Sequence, residues 1–171
     1  TSIKATWSKV TGASGYKIEL INAKGKVLKS ATTTKTTYTF KSLAKVTSYK
    51  VKVTAYKTID KKAVYSSVST TITTSTAPAA VTLSKVTAGS KSATPAWKAV
   101  KGATGYQVMY STSKDMKNSK TANVSKGSTT KTTIKKLTKG KTYYFKVRAY
   151  KTVAGKNVYG AYSTVKSVKV K

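Results

Sequence analysis

Chemistry that moves protons near neutral pH needs carboxylates, imidazoles or thiols, and this chain has few of them. Its 171 residues hold no His and no Cys, and its acids are Glu19, Asp60 and Asp115. Disulfides, thiolate and imidazole catalysis and ordinary zinc sites fall away together. A glycosidase pair would have to join Glu19, outward on a strand, to Asp60, in a polar loop; surface ion pairs with Lys50 or Lys61 are the simpler expectation. Ser and Thr hydroxyls abound without a His to activate them. Three carboxylates cannot build calcium sites in two domains, and an isopeptide crosslink would need a buried acid beside a buried Lys. The expectation is no enzyme, no metal and no cofactor.

One constellation carries a positive case. Tyr144, Lys146, Arg148 and Tyr150 alternate along one stretch, and two tyrosines interleaved with two cations on a sheet face can stack on sugar rings and pair with phosphate or sulfate. Met109, on a neighbouring strand, would widen that platform. The plain alternative is a solvent face on which aromatic residues favour strands. The first half of the chain offers a poorer version in Lys50, Lys52 and Tyr56.

The charge is the other unusual quantity: 34 basic residues against 3 acidic ones leave a net +31, and Arg148 is the one arginine. Thr1 to Thr76 hold 14 bases and 2 acids, the remainder 20 bases and 1 acid. Such a field attracts polyanions at long range and weakens as salt rises. Nucleic acid is the reflex reading, but the lysines are spread along both halves, arginine for bidentate base contacts is nearly absent and no nucleic-acid motif occurs. Salt-dependent, sequence-blind adsorption to DNA is expected, and specific recognition is not. No run of about 18 apolar residues suggests membrane insertion. The chain opens without an initiator Met and reads as a piece of a longer protein, so a targeting signal would lie outside these residues.

The elements that must position these residues are strands. Lys141 to Tyr150 alternates Tyr143, Phe145, Val147 and Ala149 inward with Tyr144, Lys146, Arg148 and Tyr150 outward, the period of two of a half-buried strand. Thr47 to Tyr56 repeats it with Tyr49, Val51, Val53 and Ala55 inward. Trp7 and Tyr16 match Trp97 and Tyr106 at an offset of 90, whereas Leu43, Tyr49, Tyr56 and Tyr65 match Leu137, Tyr143, Tyr150 and Tyr159 at an offset of 94. A chain that repeats itself is two domains, 1–76 and 77–171, joined by a linker around Ser75 to Ala80. Pro95 argues that the Trp97 strand is an edge or is bulged there. Val64 to Thr73 and Val158 to Val170 read as closing strands. Trp97 has a strand and linker before it, but Trp7 has only six residues, so the first domain lacks its opening strand. Its Ile3, Ala5 and Trp7 strand would then be open along one edge, a place for a protein partner.

A strand-ending Trp, nine residues on a strand-opening Tyr, then Leu six residues before a Tyr in a long alternating strand ending Ala-Tyr, resembles the fibronectin type III domain. The resemblance covers nearly the whole chain, twice. It implies an all-β fold: two immunoglobulin-like antiparallel sandwiches in tandem, each of three-stranded and four-stranded sheets. Trp7 and Trp97 would be core tryptophans and Tyr49 and Tyr143 corner tyrosines, structural residues with hydroxyls bonded to backbone near Leu43 and Leu137. Gly102–Lys114 and Lys139–Thr152 further resemble the Lys-rich copies at the C-terminal ends of secreted or surface proteins of Firmicutes. That likeness implies an extracellular or cell-surface, non-catalytic spacer and anchor attracted to anionic cell-wall polymers or glycans. Two rivals are a specific carbohydrate- or host-ligand-binding adhesin module and a structural subunit of a surface array or filament. The Arg-Gly-Asp tripeptide is absent, and Val153 to Asn157 stand where it would lie, so integrin recognition is not implied.

Overall fold

The computed structural model describes every residue from Thr1 to Lys171 and contains strands and turns without a helix. No helix is therefore long and apolar enough to cross a membrane. The chain forms two compact units, one over Thr1–Thr76 with Val153–Gly155 and one over Ala77–Thr152 with Lys156–Lys171.

The first unit holds β1 (Ile3–Thr6), β2 (Gly15–Ile21), β3 (Val27–Thr33), β4 (Thr37–Phe40), β5 (Ser48–Ile59) and β6 (Lys62–Ser75). A four-stranded antiparallel sheet runs β3-β2-β5-β6, and β1 pairs with β4 alone. Alternation decides what is buried: Tyr16, Ile18 and Leu20 of β2 and Tyr49 and Val51 of β5 meet Ile3, Phe40 and Leu43 in one core. The turn after β2 is closed locally, with Asn22 Oδ1 accepting from the Lys24 and Lys26 amides at 3.0 and 2.9 Å and Gly25 at a φ of 83°.

The second unit holds β7 (Leu83–Gly89), β8 (Ser92–Trp97), β9 (Gly105–Ser111), β10 (Lys120–Val124), β11 (Ile134–Lys135), β12 (Thr142–Val153), β13 (Lys156–Tyr159) and β14 (Lys166–Lys169). One antiparallel sheet is ordered β11-β8-β7. The other runs β10-β9-β12, with β13 and β14 both pairing with β12. Val108, Phe145, Val147 and Ala149 are fully buried in a core that also takes Val81, Leu83, Trp97 and Leu137.

Of the two places expected for Pro95, an edge or a bulge, the structure takes the second: β8 is interior, between β11 and β7. The ladder gives way around Pro95: on one side β11 pairs only with Ala93 and Ser92, and on the other the register with β7 shifts between Leu83 and Lys85. Val158 to Val170 is not one strand. It breaks between β13 and β14, where Gly160 N donates to Ala149 O at 2.9 Å and Ser163 N to Val147 O at 2.8 Å. A Cβ at Gly160 would stand 2.6 Å from the Pro78 carbonyl oxygen, so this break makes room for the segment entering the unit. Within the linker stretch, Thr76 donates from its hydroxyl to Ala44 O at 2.7 Å, and Pro78 is buried.

Candidate functional site

The stripe on the outer face of β12 is assembled by register. Arg148 lies opposite Gln107 of β9, Lys146 opposite Met109 and Tyr144 opposite Ser111. Arg148 donates from Nε and Nη2 to Gln107 Oε1 at 3.0 and 2.7 Å, and its guanidinium lies 3.8 Å from the Tyr159 ring centre and 4.5 Å from that of Tyr162. Tyr162 donates its hydroxyl to the same Oε1 at 3.1 Å, and Lys146 Nζ stands 4.6 Å over its ring. Burial pushes the Tyr162 phenol above its ordinary range, against the pull of Arg148. Gln107 is anchored in turn, its Nε2 donating to Asn123 Oδ1 at 3.2 Å.

The structure thus gathers part of the expected platform and closes it on itself. Lys146 and Arg148 meet, but around Tyr159, Tyr162 and Gln107. Tyr150 is only 7% exposed; its ring packs edge-on against Tyr159 at 5.7 Å and its hydroxyl reaches Val124 O at 3.4 Å. Its ring also covers Gly105, where a Cβ would collide with the hydroxyl, so glycine is what lets Tyr150 lie flat on the sheet. Tyr144 lies four residues from Arg148, roughly 13 Å along the strand. Tyr144 and Met109 remain half-buried.

Gln107, Tyr159 and Tyr162 escaped the sequence reading of this site. Tyr159 stands in the sequence reading as the repeat of Tyr65 but not as a member of the stripe; Gln107 alternates with Tyr106 and Val108, which marks it as outward on the neighbouring strand. Tyr162 gave no signal, because its place depends on the break after β13.

The first domain builds a different pair at the same positions. Thr54, buried, stands for Arg148 and Lys17 for Gln107, with Lys17 opposite Thr54 in the ladder and Ser69 of β6 on the other side of Thr54. Lys17 pairs with Glu19 at 2.8 Å and lies 5.9 Å over Tyr65. The hydrogen bond and charge of Glu19 hold the Lys17 ammonium above its ordinary pKa. Glu19 therefore answers to Lys17, not to Lys50, while Lys50 and Lys52 of the poorer stripe are exposed and half-buried and Tyr56 packs on Tyr65. Asp60 is exposed at a hairpin tip. Asp115 accepts from the Ser113 hydroxyl at 2.5 Å and pairs with Lys117 at 3.2 Å; the Ser113 bond lowers its pKa. No group of three His, Cys, Asp or Glu side chains converges.

The expected structural residues divide the same way. Trp97 is 3% exposed and Trp7 half-buried, each against a tyrosine whose hydroxyl accepts a backbone amide: Tyr16 from Val10 at 2.8 Å and Tyr106 from Val100 at 2.9 Å. Both indole Nε1 groups are buried without a partner. Tyr143 accepts from Thr138 N at 3.2 Å, which lowers its phenol pKa. Tyr49 is buried, yet its hydroxyl makes no hydrogen bond, contrary to the expected bond near Leu43. Leu43 is instead tied to Thr1, its amide donating to Thr1 O at 3.1 Å.

The model of the fibronectin type III domain matches residues 1–72 and again 76–165. The chain belongs to the fibronectin type III family. Among solved structures it is similar to the FN1-FN3 domains of chicken CNTN1, with 23% identity, a TM-score of 0.57 and coverage of 99% of this chain and 63% of that one. It is also similar to a two-domain fibronectin type III segment of chicken tenascin, with 20% identity, a TM-score of 0.53 and coverage of 99% and 93%. At these identities the likeness speaks for the fold. No curated protein matches the chain. Fibronectin type III domains are typically non-catalytic structural or binding modules of extracellular or surface proteins, and this chain carries two in tandem.

Proposed function

We propose that this pair of fibronectin type III domains is a spacer and anchor of an exported bacterial surface protein, drawn by charge to anionic wall polymers or glycans. The observation that carries this reading is the balance of charge: 34 bases face 3 acids. Only Lys17 and Lys117 are held in ion pairs, which leaves the other lysines without a carboxylate partner and their charge uncancelled toward a polyanion. The resemblance to Lys-rich copies in Firmicutes surface proteins supports the wall as the setting.

The Arg148 face favours this diffuse mode over a glycan-specific site. A guanidinium recognises sulfate or phosphate through its paired donors, and here Nε and Nη2 are already engaged by Gln107. Titration of the chain with teichoic acid, heparin and DNA of matched charge density, at rising salt, tests the reading. Steep loss of binding between low and moderate salt, with no preference among polymers, is expected. Tight binding to one polymer that survives high salt, and is lost in Arg148→Ala, would replace it with a specific module.

A further inference from the structure

The second domain has a cleft of about 440 Å³ where the ends of β9, β10, β11 and β12 meet, a size that takes a sugar unit. Tyr110 and Tyr143 both line it. Tyr110 is held by stacking on the buried Phe145, ring centres 6.0 Å apart and planes 18° from parallel, and Tyr143 is pinned where its hydroxyl accepts the Thr138 amide. Lys120, Lys135 and Lys136, all exposed, line the same cleft. The Thr138 bond lowers the Tyr143 phenol pKa and the charges of Lys120 and Lys141 lower it further, so the field of Lys120 reaches that hydroxyl. The one acid of this domain, Asp115, is held by Ser113 and Lys117. Three ammonium groups therefore share a cleft with no side-chain carboxylate among them, and they repel one another. The first domain keeps the turn and lacks this chemistry. Lys29, opposite Leu20 in the ladder as Lys120 is opposite Tyr110, donates its ammonium to Lys41 O at 2.8 Å. Leu20 thus stands for the Tyr110 ring, and Ser42 for Lys136, although Ser42 and Lys136 share a positive φ of 57° and 59°.

We propose that this cleft seats one anionic sugar unit, a sugar carrying a phosphate or sulfate ester, and that the second domain alone of the two holds an anionic polymer in this way. The ester follows from the three lysines: a tetrahedral oxyanion among them offsets their mutual repulsion and accepts from their ammonium groups. The sugar follows from two fixed aromatic rings on which its apolar face can stack. Lysine is a point charge on a flexible stem and imposes no fork geometry, so both esters fit. The seat is separate from the Arg148 stripe, because Tyr143 and Tyr144 lie on opposite faces of β12. It rests on the polyanion reading for its natural ligand and gives that reading a place: the long-range field gathers the polymer, and the cleft holds one of its units.

The test titrates the full chain with glucose 6-phosphate, glucose 6-sulfate, inorganic phosphate and glucose, followed through amide resonances. Both esters should shift Ser111, Thr138 and Tyr143 with a Kd on the order of millimolar, while Ile21, Ala44 and Tyr49 of the first domain stay unmoved. Inorganic phosphate should bind at least about threefold more weakly, and glucose should shift nothing. Lys120→Gln, Lys135→Gln and Lys136→Gln together should weaken glucose 6-phosphate at least about tenfold. Lys35→Gln, Lys57→Gln and Lys62→Gln, exposed lysines of the first domain that remove the same net charge, should weaken it less than about twofold. Equal loss in the two triple variants, or shifts spread over both domains, overturns the seat and leaves salt-dependent binding of teichoic acid, and with it the polyanion reading, standing. Inorganic phosphate binding as tightly as the esters overturns the sugar as ligand. A response to one ester alone supports the seat and names its source, a phosphate-bearing polymer or a sulfated glycan. If teichoic acid fails to bind even at low salt, the polyanion reading falls, and shifts by the glucose esters still decide the seat.

Discussion

Trp7 and Trp97 hold the same place in the two repeats, pack on the same tyrosine and differ in burial because one strand is different around them. β8 has neighbours on both edges, and Val81 and Leu83 seal the core over Trp97, Val147 and Ala149. β1 has a neighbour on one edge, and Val53 and Ala55, which match Val147 and Ala149, stay half-buried. The difference teaches that the inward pattern of a strand states which residues face the core, not whether the core is closed. Closure is a property of a strand elsewhere in the chain.

The comparison is tested hardest at the tryptophans. Trp97→Ala should cost the second domain about 3–5 kcal/mol and Trp7→Ala the first about half of that, because a side chain already in contact with water loses less on removal. Urea unfolding followed separately for each domain checks this, and the unmutated first domain should unfold at the lower concentration. Equal costs would mean that Trp7 is as well covered as its twin.

The outer faces sharpen the contrast next. Arg148→Thr installs the first domain's residue, Thr54, in the second domain. It removes two hydrogen bonds to Gln107 and the cation over two rings, so a loss of about 1–3 kcal/mol is expected from the second domain's unfolding curve. Thr54→Arg should bring no matching gain, since a cation, Lys17, stands where Gln107 would receive it and Ser69 lies on its other side in place of an aromatic ring.

The smallest effect separates the two corner tyrosines. Tyr143→Phe removes the acceptor of the Thr138 amide and should cost about 0.5–1.5 kcal/mol. Tyr49→Phe removes a hydroxyl with no partner and should change stability by less than about 0.5 kcal/mol. A larger loss at Tyr49 would reveal a bond that the structure does not contain.

The all-β tandem was legible because its signal is local: inward Tyr16, Ile18 and Leu20, or Phe145, Val147 and Ala149, each announce a strand face by alternation alone. The candidate site was legible by half. Lys146 and Arg148 share a face by period, but what they face is decided by Tyr159 and Tyr162 on either side of an interruption of the strand at Gly160, and that interruption makes room for Pro78, some eighty residues earlier. The same long-range dependence hid the interior position of Pro95. Its lost donor is absorbed by a short β11, whose length no property of Pro95 sets.

Amide hydrogen exchange along β1 and β8 in the unmodified chain tests the central claim, that the two domains share one fold with one edge closed and the other open. Thr94, Ala96 and Lys98 should exchange slowly, with Lys4, Thr6 and Ser8 at least about a hundredfold faster while Ile3, Ala5 and Trp7 stay protected by β4. Equal protection of Lys4, Thr6 and Ser8 with their counterparts would contradict the account, because it would mean that the edge of β1 is already paired.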